Sequence, residues 1–178
     1  MNILLLNGSP NANGCTYTAL ATVAGELEKN DIATEIVHVG HMDIRGCLGC
    51  GKCRELGRCI FDDMVNKIAP KLDAADGLVV GSPVYYAGPN GTLTNLLDRL
   101  FFSAGYPLRM KVGAAVCSAR RAGTTAAIFK GSMTELIVLR ALLGIGEHLV
   151  SFVYLLEALF RILVSRVDIG MVLLCLLA

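Results

Sequence analysis

Basic runs are missing from this sequence: lysines and arginines never stand more than two in a row, and the formal charge is +1. That excludes the electrostatic footprint of a nucleic-acid-binding protein and gives no attraction to an anionic membrane surface. Charge of either sign is scarce, at 17% of 178 residues, where about 25% is usual for a soluble domain. A secretory leader is not visible either. Met1-Asn2 runs straight into an apolar stretch, with no basic n-region and no small-residue cleavage site. The three histidines, His38, His41 and His148, have no acid or nucleophile at a telling distance, which argues against hydrolysis. Seven cysteines, an odd number, in a chain without an export signal point to the cytoplasm, where thiols serve metals or redox chemistry rather than structural disulfides.

What is present is enough for one domain with a substantial core, since 54% of the residues are hydrophobic. Ile3–Leu6 reads as a buried strand, followed by a turn-rich loop and a helix over Thr16–Lys29 with Leu20, Val23, Ala24 and Leu27 at helical spacing. A second strand is predicted over Thr34–Val39. The Gly- and Cys-rich stretch Arg45–Cys59 lacks periodicity and reads as loop. Asp62 or Asp63 is placed to cap a helix through Met64, Val65, Ile68 and Leu72, with Pro70 a flaw near its end. Gly77–Gly81 is a third strand with Ser82–Gly88 as the loop after it. A helix over Thr92–Phe102 and a fourth strand over Val112–Cys117 follow, with Asp98 and Arg99 expected as a helix-end ion pair. Strands that are continuous apolar runs, alternating with helices, imply a doubly wound parallel sheet covered on both faces.

That alternation is clear over residues 1–127. Residues 128–178 are Leu-rich, but Glu157, Arg161, Arg166 and Asp168 interrupt every window of about 20 residues that a membrane span needs. This segment reads as buried helices plus a last strand, as a membrane-associating tail, or as a tail that is not the native complement of the domain.

Three loops follow strands at the same edge, where an open parallel sheet binds ligands. In the first, which also contains Asn11 and Asn13, the hydroxyls of Ser9 and Thr16, the flexible backbone at Gly8 and Gly14 and a helix N-terminus suit a phosphate without any lysine. It is neither a Walker A loop nor GxGxxG. In the second, Pro83, Val84, Tyr85, Tyr86 and Gly88 offer aromatic faces and close backbone approach to a flat ring. In the third, Ser118, Arg120, Arg121 and Gly123 bring donors for the polar edge of a flavin. Each loop singly is equally compatible with an ordinary turn, core packing or a solvated pair.

Cys47, Cys50, Cys53 and Cys59 are spaced C-x2-C-x2-C-x5-C. Such a run can wrap a [4Fe–4S] cubane. Zinc sites more often use two separated pairs, and free redox-active thiols remain open. Cys15, Cys117 and Cys175 are expected as buried small apolar residues.

Taken in order, Asn7-Gly8-Ser9-Pro10 through Thr16, Cys47–Asp63, Gly81-Ser82-Pro83-Val84-Tyr85 through Asp98-Arg99, and Ser118–Thr125 resemble the NADPH-dependent FMN reductase family, and within it the iron–sulfur flavoprotein group. The resemblance covers about the first 125 residues. It implies a flavodoxin-like fold of strand order 2-1-3-4-5, FMN held by the three loops, a cluster on the four cysteines, and a homo-oligomer. The family's fifth strand and final polar-faced helix have no match in the Leu-rich tail. The expected function is an FMN-dependent oxidoreductase passing electrons from NAD(P)H or a reduced partner to a quinone, flavin, iron or nitro-aromatic acceptor. A non-enzymatic FMN/iron–sulfur electron carrier and a cysteine-rich metal-binding regulatory module are the alternatives.

Overall fold

The computed structural model describes residues 1–105, 111–120 and 122–129. Along the chain these form β1 (Asn2–Asn7), α1 (Cys15–Glu28), β2 (Ala33–His38), α2 (Cys53–Leu56), α3 (Met64–Ala74), β3 (Gly77–Tyr85), β4 (Gly88–Pro89), α4 (Gly91–Phe102), β5 (Val112–Ser118) and α5 (Thr124–Phe129).

Ile3 to Leu6 are buried without alternation, as a strand covered on both faces requires. β1 is therefore central. It pairs in parallel with β2 from Asn2↔Ala33 to Asn7↔His38, and on its other side with β3 from Ile3↔Gly77 to Asn7↔Gly81. β3 pairs in parallel with β5 from Gly77↔Val112 to Pro83↔Ser118. The parallel order is β2-β1-β3-β5, the flavodoxin-like arrangement, with the short β4 turned back antiparallel on the end of β3. The order reverses between β1 and β3, so a crevice opens where the chain departs in opposite directions.

Period-two geometry sends Leu4 and Leu6 to one face and Ile3 and Leu5 to the other. Leu4, Leu6 and Val80 pack with Ile68 and Leu72 of α3 and Leu93, Leu96, Leu97 and Leu100 of α4. Ile3, Leu5 and Val79 pack with Leu20 and Ala24 of α1. Each such side chain contributes roughly 1.5–3 kcal/mol when fully buried.

The third strand does not stop at Gly81. It continues to Tyr85, because β5 pairs with it as far as Pro83 and β4 pairs with Val84 and Tyr85. The Cys-rich stretch is not loop throughout: α2 forms one turn, ended by Gly57 in the left-handed region at φ 64°. Asp63, not Asp62, caps α3, its carboxylate accepting from the Val65 N–H. α3 also runs through Pro70 to Ala74. Among the described residues no helix is long and apolar enough to cross a membrane. The fifth parallel strand and the expected boundary at residues 127–128 concern the tail, of which all but residues 128 and 129 lies outside the described residues.

Candidate functional site

The loop between β1 and α1 is built on Asn7, which is fully buried at the end of β1. Its Oδ1 accepts from the Ser9 N–H at 3.0 Å, and its Nδ2 donates to the Ala12 carbonyl at 3.2 Å. Ser9 is buried, and its Oγ accepts from the Asn11 N–H at 3.1 Å. His38, at the end of β2, lies with Nε2 2.7 Å from the Ser9 carbonyl; a carbonyl only accepts, so this nitrogen carries the proton. Asn11 and Asn13 are exposed beyond this braced turn. Gly14 occupies the N-cap of α1 and no side chain caps the helix. The first turn thus presents backbone N–H groups and the positive end of the helix to the loop.

Gly40 fits closely behind this loop. A Cβ there would fall inside the backbone of Gly8 and Ser9, so only glycine lets the segment after β2 approach so near.

The three candidate loops are joined directly. Thr16, buried in the first turn of α1, shares a 2.8 Å hydrogen bond with Ser118 at the end of β5. The Gly8 N–H donates to the Gly81 carbonyl at 2.7 Å. Gly123, at φ 117°, packs its Cα side against Ala87 and Val84, where a Cβ would lie 3.2 Å from Ala87 Cα. Tyr86 and Ala87 form a two-residue hairpin turn between the paired Tyr85 and Gly88, with φ of 47° and 59°. Such a primed turn normally takes Asn-Gly, because both central residues need positive φ. Tyr86 is fully exposed at 104%, and Tyr85 half so. Arg120 is exposed, and Arg121 lies outside the described residues.

Asn90 ties the loops together and was not singled out from sequence. It is buried, its Nδ2 donates to the Gly8 carbonyl at 2.7 Å and the Gly40 carbonyl at 3.3 Å, and its N–H donates to Ser82 Oγ at 2.8 Å. Its Oδ1 also caps α4 by accepting from Thr92 N–H. The signal was an asparagine directly before a periodic apolar run.

Cys47, Cys50, Cys53 and Cys59 all line one open surface pocket, with Phe61, Arg99, Phe102 and Ser103. Cys47 and Cys50 are exposed, Cys53 half-buried and Cys59 buried. Among the described residues no three His, Cys, Asp or Glu side chains converge as one metal ion requires. A cubane attaches each thiolate to a different iron, so a shared concave wall suits it better than a single point of convergence. The pocket is at the last turns of α4 and the flavin-type loops at its N-cap. The nine residues from Asn90 to Arg99 separate them by roughly 14 Å along the helix, at about 1.5 Å per residue.

The expected Asp98–Arg99 pair does not form. Arg99 is 1% exposed and turns inward to Asp63, Nη1 to Oδ2 at 2.6 Å and Nη2 to Oδ1 at 2.9 Å. Burial pushes its pKa down, but the hydrogen bonds it donates to Asp63 and Cys59, and their charge, more than offset that and hold it above the ordinary value. Asp98 points outward, its pKa raised by partial desolvation. Adjacent helix residues project about 100° apart, which is why one neighbour is core and the other surface. Cys15 is exposed and Cys117 half-buried, so neither is the fully buried residue expected; Cys175 lies outside the described residues.

A parallel sheet of order 2-1-3 with three loops gathered at its switch point, the first leading into an uncapped helix, defines a flavodoxin-like mononucleotide-binding protein. The profile of the NADPH-dependent FMN reductase family matches residues 1–134. The chain belongs to that family of flavin oxidoreductases, for which FMN is the characteristic cofactor. It is 35% identical over 117 residues to an iron–sulfur flavoprotein of Methanocaldococcus jannaschii, covering 65% of this chain and 61% of that protein. An iron–sulfur flavoprotein of Archaeoglobus fulgidus is 36% identical over 118 residues, covering 65% and 58%. The matches thus span about three fifths of the length of these curated relatives. In fold, the chain resembles the NAD(P)H:quinone oxidoreductase of Methanothermobacter marburgensis, with a TM-score of 0.58 at 20% identity over 82% of this chain and 78% of that one.

Proposed function

We propose that this chain is an FMN-dependent oxidoreductase that takes electrons from NAD(P)H and passes them to a quinone, flavin, iron or nitro-aromatic acceptor. The observation that carries the reading is the direct joining of the three loops at one sheet edge, by Thr16 to Ser118 and by Gly123 against Ala87 and Val84. The donor set fits FMN. An uncapped helix N-terminus with Ser9, Asn11, Asn13 and Gly14 suits its phosphate. Thr16 would serve through its backbone N–H in the first turn of α1. Pro83, Val84, Tyr85, Tyr86 and Gly88 would flank the ring, and Ser118, Arg120, Arg121 and Gly123 its pyrimidine edge.

When bound, FMN supplies hydride acceptance and one-electron donation, so no side-chain acid or base is needed for the hard step. The chain's own part is to fix the ring, exclude water beneath it and place donors at the edge where negative charge builds. Cys47, Cys50, Cys53 and Cys59 would hold a [4Fe–4S] cluster, supported by the one pocket they line and by the similarity to iron–sulfur flavoproteins. That cluster favours a second reading, an electron carrier between redox proteins. Cysteines serving a metal cluster fit a reducing cytoplasm, and a homo-oligomer is the proposed assembly.

An absorption spectrum and iron and sulfide analysis of anaerobically purified protein test both cofactors. Flavin bands with roughly four irons per chain are expected; a colourless protein contradicts the reading. Turnover of NAD(P)H with a quinone supports the enzyme, whereas photoreduction without NAD(P)H turnover supports the carrier.

A further inference from the structure

Arg99 is the one charged residue among the large, fully buried side chains of the described region, and the flavin chemistry gives it no task. All five of its N–H donors find acceptors. Nε and Nη2 point at Cys59 Sγ, at 3.4 and 3.2 Å. Nη2 and Nη1 also take the two oxygens of Asp63, and Nη1 reaches the Arg45 carbonyl at 3.2 Å. The guanidinium lies 5.0 Å from the Phe61 ring centroid, and Arg45 sits 4.7 Å from the same ring. One side chain of α4 therefore grips both ends of the cysteine segment and the cap of α3.

Gripping the segment would need only the bonds to Asp63 and Arg45. Two further donors converge on sulfur, and a neutral thiol is a weak acceptor that gains little from a pair of them. A thiolate, the form that ligates metal, accepts charge-assisted hydrogen bonds well. Lysine has no planar fork and could not serve both partners at once. Cys47 and Cys53 have only weak backbone contacts, Cys47 accepting from the Gly49 N–H at 3.4 Å and the Cys53 thiol donating to the Phe102 carbonyl at 3.7 Å.

We propose that Arg99 is a positioning residue for the Cys59 ligand, whose two N–H···S bonds persist to the metal-bound thiolate and raise the reduction potential of the cluster held there. This rests on the reading of the four cysteines as a [4Fe–4S] site. Adding one electron adds one negative charge to the cluster, and hydrogen bonds to its sulfurs stabilise that reduced form. Asp63 acts in the opposite sense, since its carboxylate compensates the guanidinium.

The test is an EPR-monitored redox titration, with dithionite as reductant, of the full chain reconstituted anaerobically with ferrous iron and sulfide. Arg99→Gln is expected to shift the midpoint to more negative potential. Asp63→Asn, which keeps a capping side chain at the start of α3, is expected to shift it to more positive potential. Opposite displacements at unchanged iron content support the proposal, because a merely structural role does not produce them. A midpoint unchanged in both variants overturns it while leaving the cluster reading intact. Failure of the wild-type chain to bind iron and sulfide overturns the cluster reading itself and the proposal with it. Should Arg99→Gln not fold, Asp63→Asn decides alone: a positive shift supports the proposal and no shift overturns it.

Discussion

At Gly40 a single hydrogen in place of a side chain decides whether the first loop can form. The Cβ of Gly40→Ala would meet the backbone of Gly8 and Ser9, not the movable end of a side chain. The loop must shift, at a cost of roughly 1–3 kcal/mol. A lower Tm together with at least tenfold weaker FMN binding, read by quenching of flavin fluorescence, is the expected outcome. Asn90 is the second such residue. Asn90→Ala removes the cap of α4, worth about 1 kcal/mol, and strips a donor from the buried Gly8 and Gly40 carbonyls. Together these amount to about 2–3 kcal/mol, a drop in Tm of roughly 5–10 °C for a domain of this size. Calorimetry checks it. Neither residue is marked in the sequence, because Gly40 meets Gly8 and Ser9 more than 30 positions back and Asn90 meets Gly40 and Gly8 at 50 and 82 positions back along the chain.

Elements were far easier to read than these contacts. β1, β3 and the α4 register follow from apolar runs and helical spacing, since Ile3–Leu6 and Leu93, Leu96, Leu97 and Leu100 are core as their periodicity requires. The misplaced end of β3 has a plain cause. Ser82-Pro83 looks like a turn, but a proline at a strand end leaves pairing through its carbonyl side intact, and the chain turns only at Tyr86-Ala87. That hairpin carries strain, since an L-residue in the left-handed region costs roughly 1–2 kcal/mol. Replacing both, Tyr86→Asn with Ala87→Gly, should stabilise the chain by about 1 kcal/mol and raise Tm by roughly 2–4 °C, while weakening FMN binding. A variant that gains stability and binds FMN as well as before would show that the strain serves no site. Arg99 differs from its sequence reading for another reason: adjacency to Asp98 suggests a pair, whereas its partner Asp63 is 36 positions away.

Across the whole molecule, α4 spans both sites, its N-cap Asn90 braced on the flavin-type loops and its Arg99 on the cysteine pocket. The edge of the sheet where the loops gather was legible from strand alternation alone, because a parallel sheet places every βα loop at its carboxyl end. What could not be read was how the loops lock together. Ser118→Ala removes the tie to buried Thr16, and about 1.4 kcal/mol of lost loop order corresponds to a tenfold faster loss of FMN; stopped-flow dissociation measures it. The account turns on an anion received by the first turn of α1, and a pair of titrations of the apoprotein tests it most directly, one with FMN and one with riboflavin. Without the phosphate, affinity should fall at least about 100-fold, or roughly 2.8 kcal/mol. Equal binding of the two, or no binding of either, would contradict it.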